Sequence, residues 1–459
     1  MLGKLPSESQ QSVFSPSLEV MLNPNHELVT LGKRLDWDRL EARFAGLYAT
    51  EGRPSIPIRV MVSLLLLQRL KNVSDEEVVK QWVQNPYWQW FSGMTIFNWA
   101  VPCDPTELGK FRKRIGPEGA EQILAWTIEL HLDVGQVQAK TVIIDSTVQE
   151  KNVMTPRDHK LYRRVIEHLW SLAQKEGVPL RRSYRRTVRR LVMRLRTSNF
   201  PRAKKQARKA ERRMRTIAYC LLREMIRKLG KDRLSVHFDA LEVMETILVQ
   251  GRGGPDHIYS VHEPDVRCIG KGKDSKQYEF GTKVSLAIDP KSGVIVAAMN
   301  HAKNIYDGHA TAEISEQIER LSGTKPETMI GDQGYRNALG NAALKQDGIT
   351  VVTPVDLQRA VKGSRTWRHL RRLIRMRARI EPVIGHLKSG FRLCRNFLHG
   401  WLGDELNVLL AAAGWNLRKL LRFLCAWYQA TERVVLAALF TRPVWPRHSR
   451  WISGWVAAA

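Results

Sequence analysis

Apolar and polar positions follow two periods along this chain, and the change from one to the other divides it. Apolar residues run almost continuously along one side of a helix from Ile58 to Lys71. Ser74, followed by Asp75, Glu76 and Glu77, then caps a helix that extends to about Val83 and stops at Asn85-Pro86. Asp104-Pro105-Thr106 opens a short helix carrying Lys110, Arg112, Lys113 and Arg114, and another spans about Glu118 to Leu132. Residues 1 to about 40 show no such period and are expected to form a loosely ordered lead-in. Tyr87, Trp88, Trp90 and Phe91 make an aromatic knot that suits either base stacking or the core of a small helical domain.

From Thr141 the period changes. Thr141-Val-Ile-Ile is β-branched and apolar, as in a strand buried on both faces, and it runs straight into Asp145. Strands follow at Phe280 to Ile288 and Val294 to Asn300, joined by the turn Asp289 to Gly293. An amphipathic helix from His309 to Leu321 leads to a strand, Glu327 to Ile330, that ends at Gly331-Asp332-Gln333-Gly334-Tyr335. A helix around Asn337 to Lys345, a strand at Ile349 to Pro354 and a helix capped by Ser364 complete the series. This order predicts an α/β fold with a mixed five-stranded sheet flanked by helices. The expected division is a lead-in (1–43), an all-helical domain (44–135), a sheet domain (136–156 with 255–400), a basic helical insertion (157–254) and a C-terminal helical region with a tail (401–459).

Within the helix from Arg365 to Phe391, Arg377, Glu381 and Lys388 recur at four and seven residues. At about 100° per residue all three project from one face. Alone, such a pattern is a surface salt-bridge ladder.

Charge changes the picture. The chain of 459 residues has a formal net charge of +28. Between Arg157 and Arg233 there are 26 Lys and Arg against 6 Asp and Glu, which is most of that excess. Doublets at Arg185-Arg186 and Arg189-Arg190 alternate with Leu161, Leu169, Leu191, Leu195, Leu221 and Met225, predicting a helical hairpin with an apolar seam and a cationic exterior. A solvated face normally mixes signs, so phosphate contact is the better explanation. A basic helix among short capped ones, including Arg112 and Arg114, likewise suits a helix-turn-helix-like DNA-binding module.

Five scattered cysteines with no Cys-x-x-Cys pair point to a reducing compartment and away from a zinc module. The N-terminus lacks a secretory signal pattern, and the longest apolar runs fall well short of the roughly 20 residues of a membrane span. The expected setting is the cytoplasm.

Asp145 ends one strand, Asp332 ends another and Glu381 lies on the last helix of the same unit. Read singly, Asp145 is also compatible with a solvated strand-end carboxylate. Three acids brought together would repel one another without divalent cations, and their oxygen donors suit Mg²⁺ or Mn²⁺. Two such ions about 4 Å apart would activate water or a 3′-hydroxyl and stabilise the leaving oxygen of a phosphodiester.

The segments Val142-Ile-Ile-Asp145-Ser-Thr, Tyr278-Glu-Phe-Gly-Thr-Lys283, Ile330-Gly-Asp332-Gln-Gly-Tyr335 and Arg377-Ala-Arg-Ile-Glu381-Pro-Val-Ile-Gly-His-Leu-Lys388 resemble the catalytic core of bacterial insertion-sequence DDE transposases, families four and five. The region from about Phe44 to Leu132 is similar to their N-terminal domain. The resemblance implies an RNase H-like sheet, Asp145, Asp332 and Glu381 as catalytic metal ligands, and Mg²⁺ replaceable by Mn²⁺. It also implies cleavage at terminal inverted repeats of double-stranded DNA, joining of the 3′ ends to target DNA, and a homodimer on paired ends. Arg377, Glu381 and Lys388 match the family's Tyr-Arg-Glu-Lys signature, whereas the tyrosine position is Ile374. Lys388 is expected to hold a phosphate near the cut and Arg377 to position DNA or orient Glu381. Asp307-Gly-His309 also resembles a family segment, though a turn with a helix cap accounts for it equally, and Asp274, Lys276 and Lys283 flank a strand where they could touch DNA. The alternatives are a non-catalytic nucleic-acid-binding protein derived from a transposase and a nuclease that never joins strands.

If the basic insertion contacts phosphates, affinity for duplex DNA should fall by about 10³ to 10⁵ between roughly 50 and 200 mM salt. Fluorescence anisotropy over that range checks this, and a flat response would exclude the contact.

Overall fold

A computed structural model describes residues 1–5, 16–196, 203–251, 257–270 and 277–440. Asp274, Lys276 and the tail from 441 lie outside the described residues.

Helices fill the first third: α1 (Leu18–Met21), α2 (Glu27–Arg34), α3 (Trp37–Ala45), α4 (Ile58–Lys71), α5 (Asp75–Gln84), α6 (Pro86–Phe91) and α7 (Pro105–Asp133). The expected lead-in is therefore helical from residue 18, and Leu28, Leu31, Leu40 and Phe44 are buried in the main core. Short amphipathic helices of this length carry too few turns for their period to stand out. The Ser74 side chain accepts from Glu77 N at 3.1 Å, the capping bond its position predicts. Asn85 caps α6 in the same way, so the Asn-Pro stop of one helix is the start of the next. Trp88 and Phe91 are buried, which settles the aromatic knot as core. Helix α7 kinks at Gly116, whose φ of 61° precedes Pro117.

The sheet has six strands: β1 (Thr141–Glu150), β2 (Arg267–Gly270), β3 (Tyr278–Ile288), β4 (Ile295–His301), β5 (Thr328–Ile330) and β6 (Thr350–Val352). The sixth, β2, was not expected, because four residues containing Arg267 and Gly270 give no alternating pattern. Strand β3 pairs antiparallel with β1 on one edge, and β2 and β4 share its other edge. Strands β5 and β6 run parallel to β1. The sheet is thus mixed, and β1 lies between its antiparallel and parallel halves.

Between β1 and β2 come α8 (Asp158–Lys175), α9 (Arg185–Arg196), α10 (Lys204–Lys228), α11 (Lys231–Val236) and α12 (Phe238–Val249). Among the described residues five helices replace the expected hairpin: α11 is only six residues long, and α12 is acidic and lies beyond the basic run. They close an apolar cluster of their own, including Leu169, Met214, Leu221 and Ile247.

The remaining helices are α13 (Thr311–Ser322), α14 (Ala338–Gln346), α15 (Pro354–Arg359), α16 (Arg365–Met376), α17 (Ile380–Gly390) and α18 (Gly400–Phe440). Helix α13 covers one sheet face through Ile314 and Ile318, against Val142, Ile144 and Met329. The other face, with Ile143, Leu286 and Ile330, joins α4, α7, α17 and α18 in one continuous core. The N-terminal helices therefore do not close a separate core. No helix among the described residues is long and apolar enough to cross a membrane.

Helix α18 is fastened by buried side-chain hydrogen bonds. Asn416 Nδ2 donates to Ile295 O (2.9 Å) while Ile295 N donates back to Asn416 Oδ1 (2.9 Å), so a helix side chain completes the pairing of an edge strand. Asn416→Ala would strand both backbone groups in a dry interface, and should cost about 2–4 kcal/mol. Urea unfolding of the variant measures this, and a loss within error would show the clamp to be dispensable.

Candidate functional site

Asp145 and Asp332 follow from strand register. The parallel ladder pairs Ile143 with Ile330, so two residues further on Asp145 and Asp332 are opposite each other, where β5 has ended and β1 continues. This is the carboxyl end of the parallel strands, at the point where pairing switches sense, a position that open sheets leave free for ligands. Asp145 continues the face of Ile143, the side on which α17 packs.

Local hydrogen bonds fix both carboxylates. Asp145 Oδ1 accepts from Ser146 N at 2.8 Å, and Asp332 Oδ1 accepts from Gly334 N at 2.8 Å, capping a short 3₁₀ turn, Gln333–Tyr335. Gly334 lies close to two side chains: a Cβ there would sit 2.9 Å from Asp332 Oδ1 and 3.1 Å from Asp307 Oδ2, so a larger residue would push the carboxylates. A third carboxylate, Asp307, therefore approaches the same turn. Its own partner is Lys283 on β3, at 2.9 Å.

The site's surroundings oppose the ionisation of Asp145. Burial pushes the Asp145 carboxyl up to about 6, with Asp332 and Asp307 adding to the rise and the Ser146 N–H and Arg377 opposing it. Tyr335, fully buried behind the turn, has its hydroxyl held well above the usual range by burial and by all three aspartates.

The helical triplet is arranged differently from the expectation. Met376 ends α16, Arg377–Arg379 form a 3₁₀ turn, and α17 begins at Ile380. Pro382 accounts for the break, since it has no N–H for the carbonyl of Ala378 and its ring crowds that carbonyl. A tightened turn advances each residue by about 120° instead of 100°, so Arg377 leaves the face shared by Glu381 and Lys388. Its charge acts on Asp145, and its Nε is buried with no hydrogen-bond partner among the described residues. Glu381 stands exposed in the first turn of α17. Lys388, expected to hold a phosphate near the cut, has its Nζ 3.4 Å from Glu279 Oε2 on β3, an ion pair. Ile374 packs against the main core.

Asp145 and Asp332 are thus brought together with Asp307 and Arg377, while Glu381 is not gathered with them. Among the described residues no group of three or more His, Cys, Asp or Glu is placed to hold a metal ion. Of the other expected contacts, Arg185, Arg186, Arg189 and Arg190 are exposed on α9, and Arg114 lies over Tyr48 at 4.5 Å. Arg112 is a correction: it is buried, ion-paired with Asp75 and hydrogen-bonded to Gln68, so it braces α7 against α4 and α5 and cannot reach DNA.

Sequence reasoning missed the polar cluster behind the aspartates. His301 Nε2 meets Ser285 Oγ at 2.8 Å beside Lys283 and Asp307. A lone histidine at a strand end gave no signal, whereas Asp307 was visible as an Asp-Gly-His turn.

Comparison with known proteins gives two family matches. Residues 16–114 match the model described as a transposase domain (DUF772), and residues 259–417 match the transposase DDE domain. Asp332 and Glu381 fall within the second range and Asp145 outside both. An uncharacterised protein of Rhizobium meliloti, ORF8 in the nfe locus, is 38% identical over 194 residues, covering 42% of this chain and 94% of that protein. A solved structure, a piggyBac transposase synaptic complex with hairpin DNA, aligns over 96% of this chain and 85% of its own at 8% identity, with a TM-score of 0.30.

His301 gives this site a pH signature in stability. Burial, then Lys283, lowers its pKa to about 4. Between the unfolded value near 6.5 and 4, the unfolded chain takes up a proton that the folded one refuses, so stability falls with falling pH by at most about 1.4 kcal/mol per unit. His301→Gln should flatten that part of the profile. Denaturant unfolding at pH 7 and pH 5 tests it, and an unchanged slope would remove His301 as its source.

Proposed function

We propose that the chain, whose residues 16–114 and 259–417 match transposase models, is a DDE transposase of the insertion-sequence type that cuts DNA at the terminal inverted repeats of an element and joins the freed 3′ ends to target DNA. The observation that carries this reading is the β1–β5 register, which sets Asp145 and Asp332 on one face at the carboxyl end of the parallel strands, within reach of Arg377's charge. On this view the sheet is RNase H-like, the relatives are families four and five, and a homodimer pairs the two ends.

The donor set fits a hard divalent cation. Its atoms are carboxylate oxygens, and the rise of Asp145 to about 6, caused first by burial and then by the neighbouring aspartates, is one that a bound cation would offset. Asp145 and Asp332 would hold it, and Glu381, which stands apart from them on α17, would have to approach to supply a third carboxylate. When bound, Mg²⁺ or Mn²⁺ would activate a water or a 3′-hydroxyl of the DNA and stabilise the leaving oxygen. The protein's own part is positional. The Gly334 and Ser146 amides hold the two carboxylates in place. Arg377, with its buried Nε unpaired, offers a donor to a phosphate oxygen beside them. Lys283 pairs with Asp307, whereas among the described residues Asp145 and Asp332 form no salt bridge and the one cation whose charge acts on Asp145 is Arg377.

A rival reading, a DNA-binding protein that does not cleave, draws on the separation of Glu381 from the aspartates. Purified protein with Mg²⁺ or Mn²⁺ should nick DNA carrying the repeats that flank its gene, and strand-transfer product should follow. Asp145→Asn, Asp332→Asn and Glu381→Gln should each reduce nicking to background while gel-shift binding persists. Full nicking by any one variant would remove that residue from the site, and binding without cleavage by the parent protein would favour the rival.

A further inference from the structure

Helix α16 carries charge that the proposed chemistry leaves unused. It has arginines at 365, 368, 371, 372 and 375 and no acid. At about 100° per residue, Arg368, Arg371, Arg372 and Arg375 lie within about 100° of one another, with Leu370, Leu373 and Ile374 opposite. Burial agrees: the four arginines are exposed, Leu373 is buried, and Leu370 and Ile374 pack on the main core. Among the described residues none of the four has an ion-pair partner. Arg371 lies over the Trp367 ring at 4.9 Å. These side chains, with Met376 and Arg379, line a shallow cavity of about 400 Å³.

Like charges three and four residues apart weaken a helix, so this arrangement is costly unless an anion covers it. Its dimensions select the anion. From Arg368 to Arg375 the axis rises about 10 Å, close to three nucleotide steps, which carry four phosphates, at about 3.4 Å per nucleotide along one strand. Guanidinium forks take phosphate oxygens bidentately. The helix also runs directly into the turn holding Arg377, whose charge acts on Asp145.

We propose that the Arg368, Arg371, Arg372 and Arg375 face of α16 is a phosphate-binding ridge that holds the backbone of a DNA strand beside the Asp145–Asp332 pair. The assignment of that pair as the cutting site rests on the function proposed above, whereas phosphate binding by the ridge does not. Nucleic acid is favoured over an acidic protein surface because the exposed side of α16 offers guanidinium groups with no apolar patch to bury.

The test uses the full chain and a random-sequence duplex, with affinity measured across a salt series. Changing all four arginines to Gln should lower the slope of log K against log salt by about 3 to 4, and changing all four to Lys should leave it near the parent value. Thermal unfolding shows whether the Gln variant is folded. If it is not, Arg372→Gln alone should lower the slope by about 1. A folded Gln variant with the parent slope overturns the proposal, as does one that keeps the slope but changes sedimentation, since the ridge would then contact protein. Nicking by the parent protein is scored separately. A parent that nicks while the variant keeps its slope refutes the ridge alone, and a parent that never nicks while the variant loses slope refutes the cutting site alone.

Discussion

Buried polar groups must be paired, and on α18 this requirement joins the parts of the molecule. The helix is largely apolar where it crosses the core, yet it carries Asp404, Asn407 and Asn416 at nearly complete burial. Each is satisfied by a different segment. Asp404 Oδ1 takes Lys151 Nζ at 2.7 Å, just beyond β1. Asn407 donates to Gln149 Oε1 on β1 and accepts from Arg69 Nη1 of α4 at 2.7 Å. Asn416 completes the edge of β4 and also donates to Thr127 Oγ1 of α7. A one-residue slip of α18 would unpair several of these together, so they specify a register that apolar packing alone would leave loose.

That register matters to the carboxylates. Gln149 and Asp145 are on the same face of β1, and α18 fixes the far end of the strand whose middle presents Asp145. The near end is fixed by parallel pairing with β5. Asp145 is thus held from both sides while its neighbours in β5 have stopped, which opens space beside it without loosening it. Such a site tolerates the mutual repulsion of Asp145, Asp332 and Asp307 because ladder and core packing oppose it.

Most of the sheet was legible because strands buried on both faces carry dense β-branched runs, as at Thr141 to Ile144 and Ile295 to Ala297. Strand β2 was not, since four residues on a shared edge need no apolar run. Asp145 and Asp332 were legible as acids immediately after such runs, and register then placed them together. The Arg377, Glu381 and Lys388 face was misjudged for a local reason. Equal spacing implies one face only in an unbroken α-helix, and Pro382 tightens the turn before it. Arg112 was misjudged for another: in a run of basic residues, sequence does not show which side chain turns inward to Asp75. The cluster of Ser285, His301, Lys283 and Asp307 joins residues from β3, β4 and a turn, a pairing that only tertiary structure creates.

Charge follows a spatial logic that composition conceals. The insertion from Arg157 to Arg233 holds most of the excess but closes its own apolar core, so its cationic exterior can change without disturbing the sheet. The arginines of α16 are fewer, yet their opposite face packs on the same core as Ile143 and Ile330, the residues that set the aspartate register. Charge on the insertion can therefore act over a distance, limited by screening to about a Debye length, roughly 8 Å at physiological salt. Charge on α16 is rigidly referenced to the carboxylates. On the proposed function, attraction and placement of a polyanion would fall to different elements, and only the second would require the precision that a shared core provides.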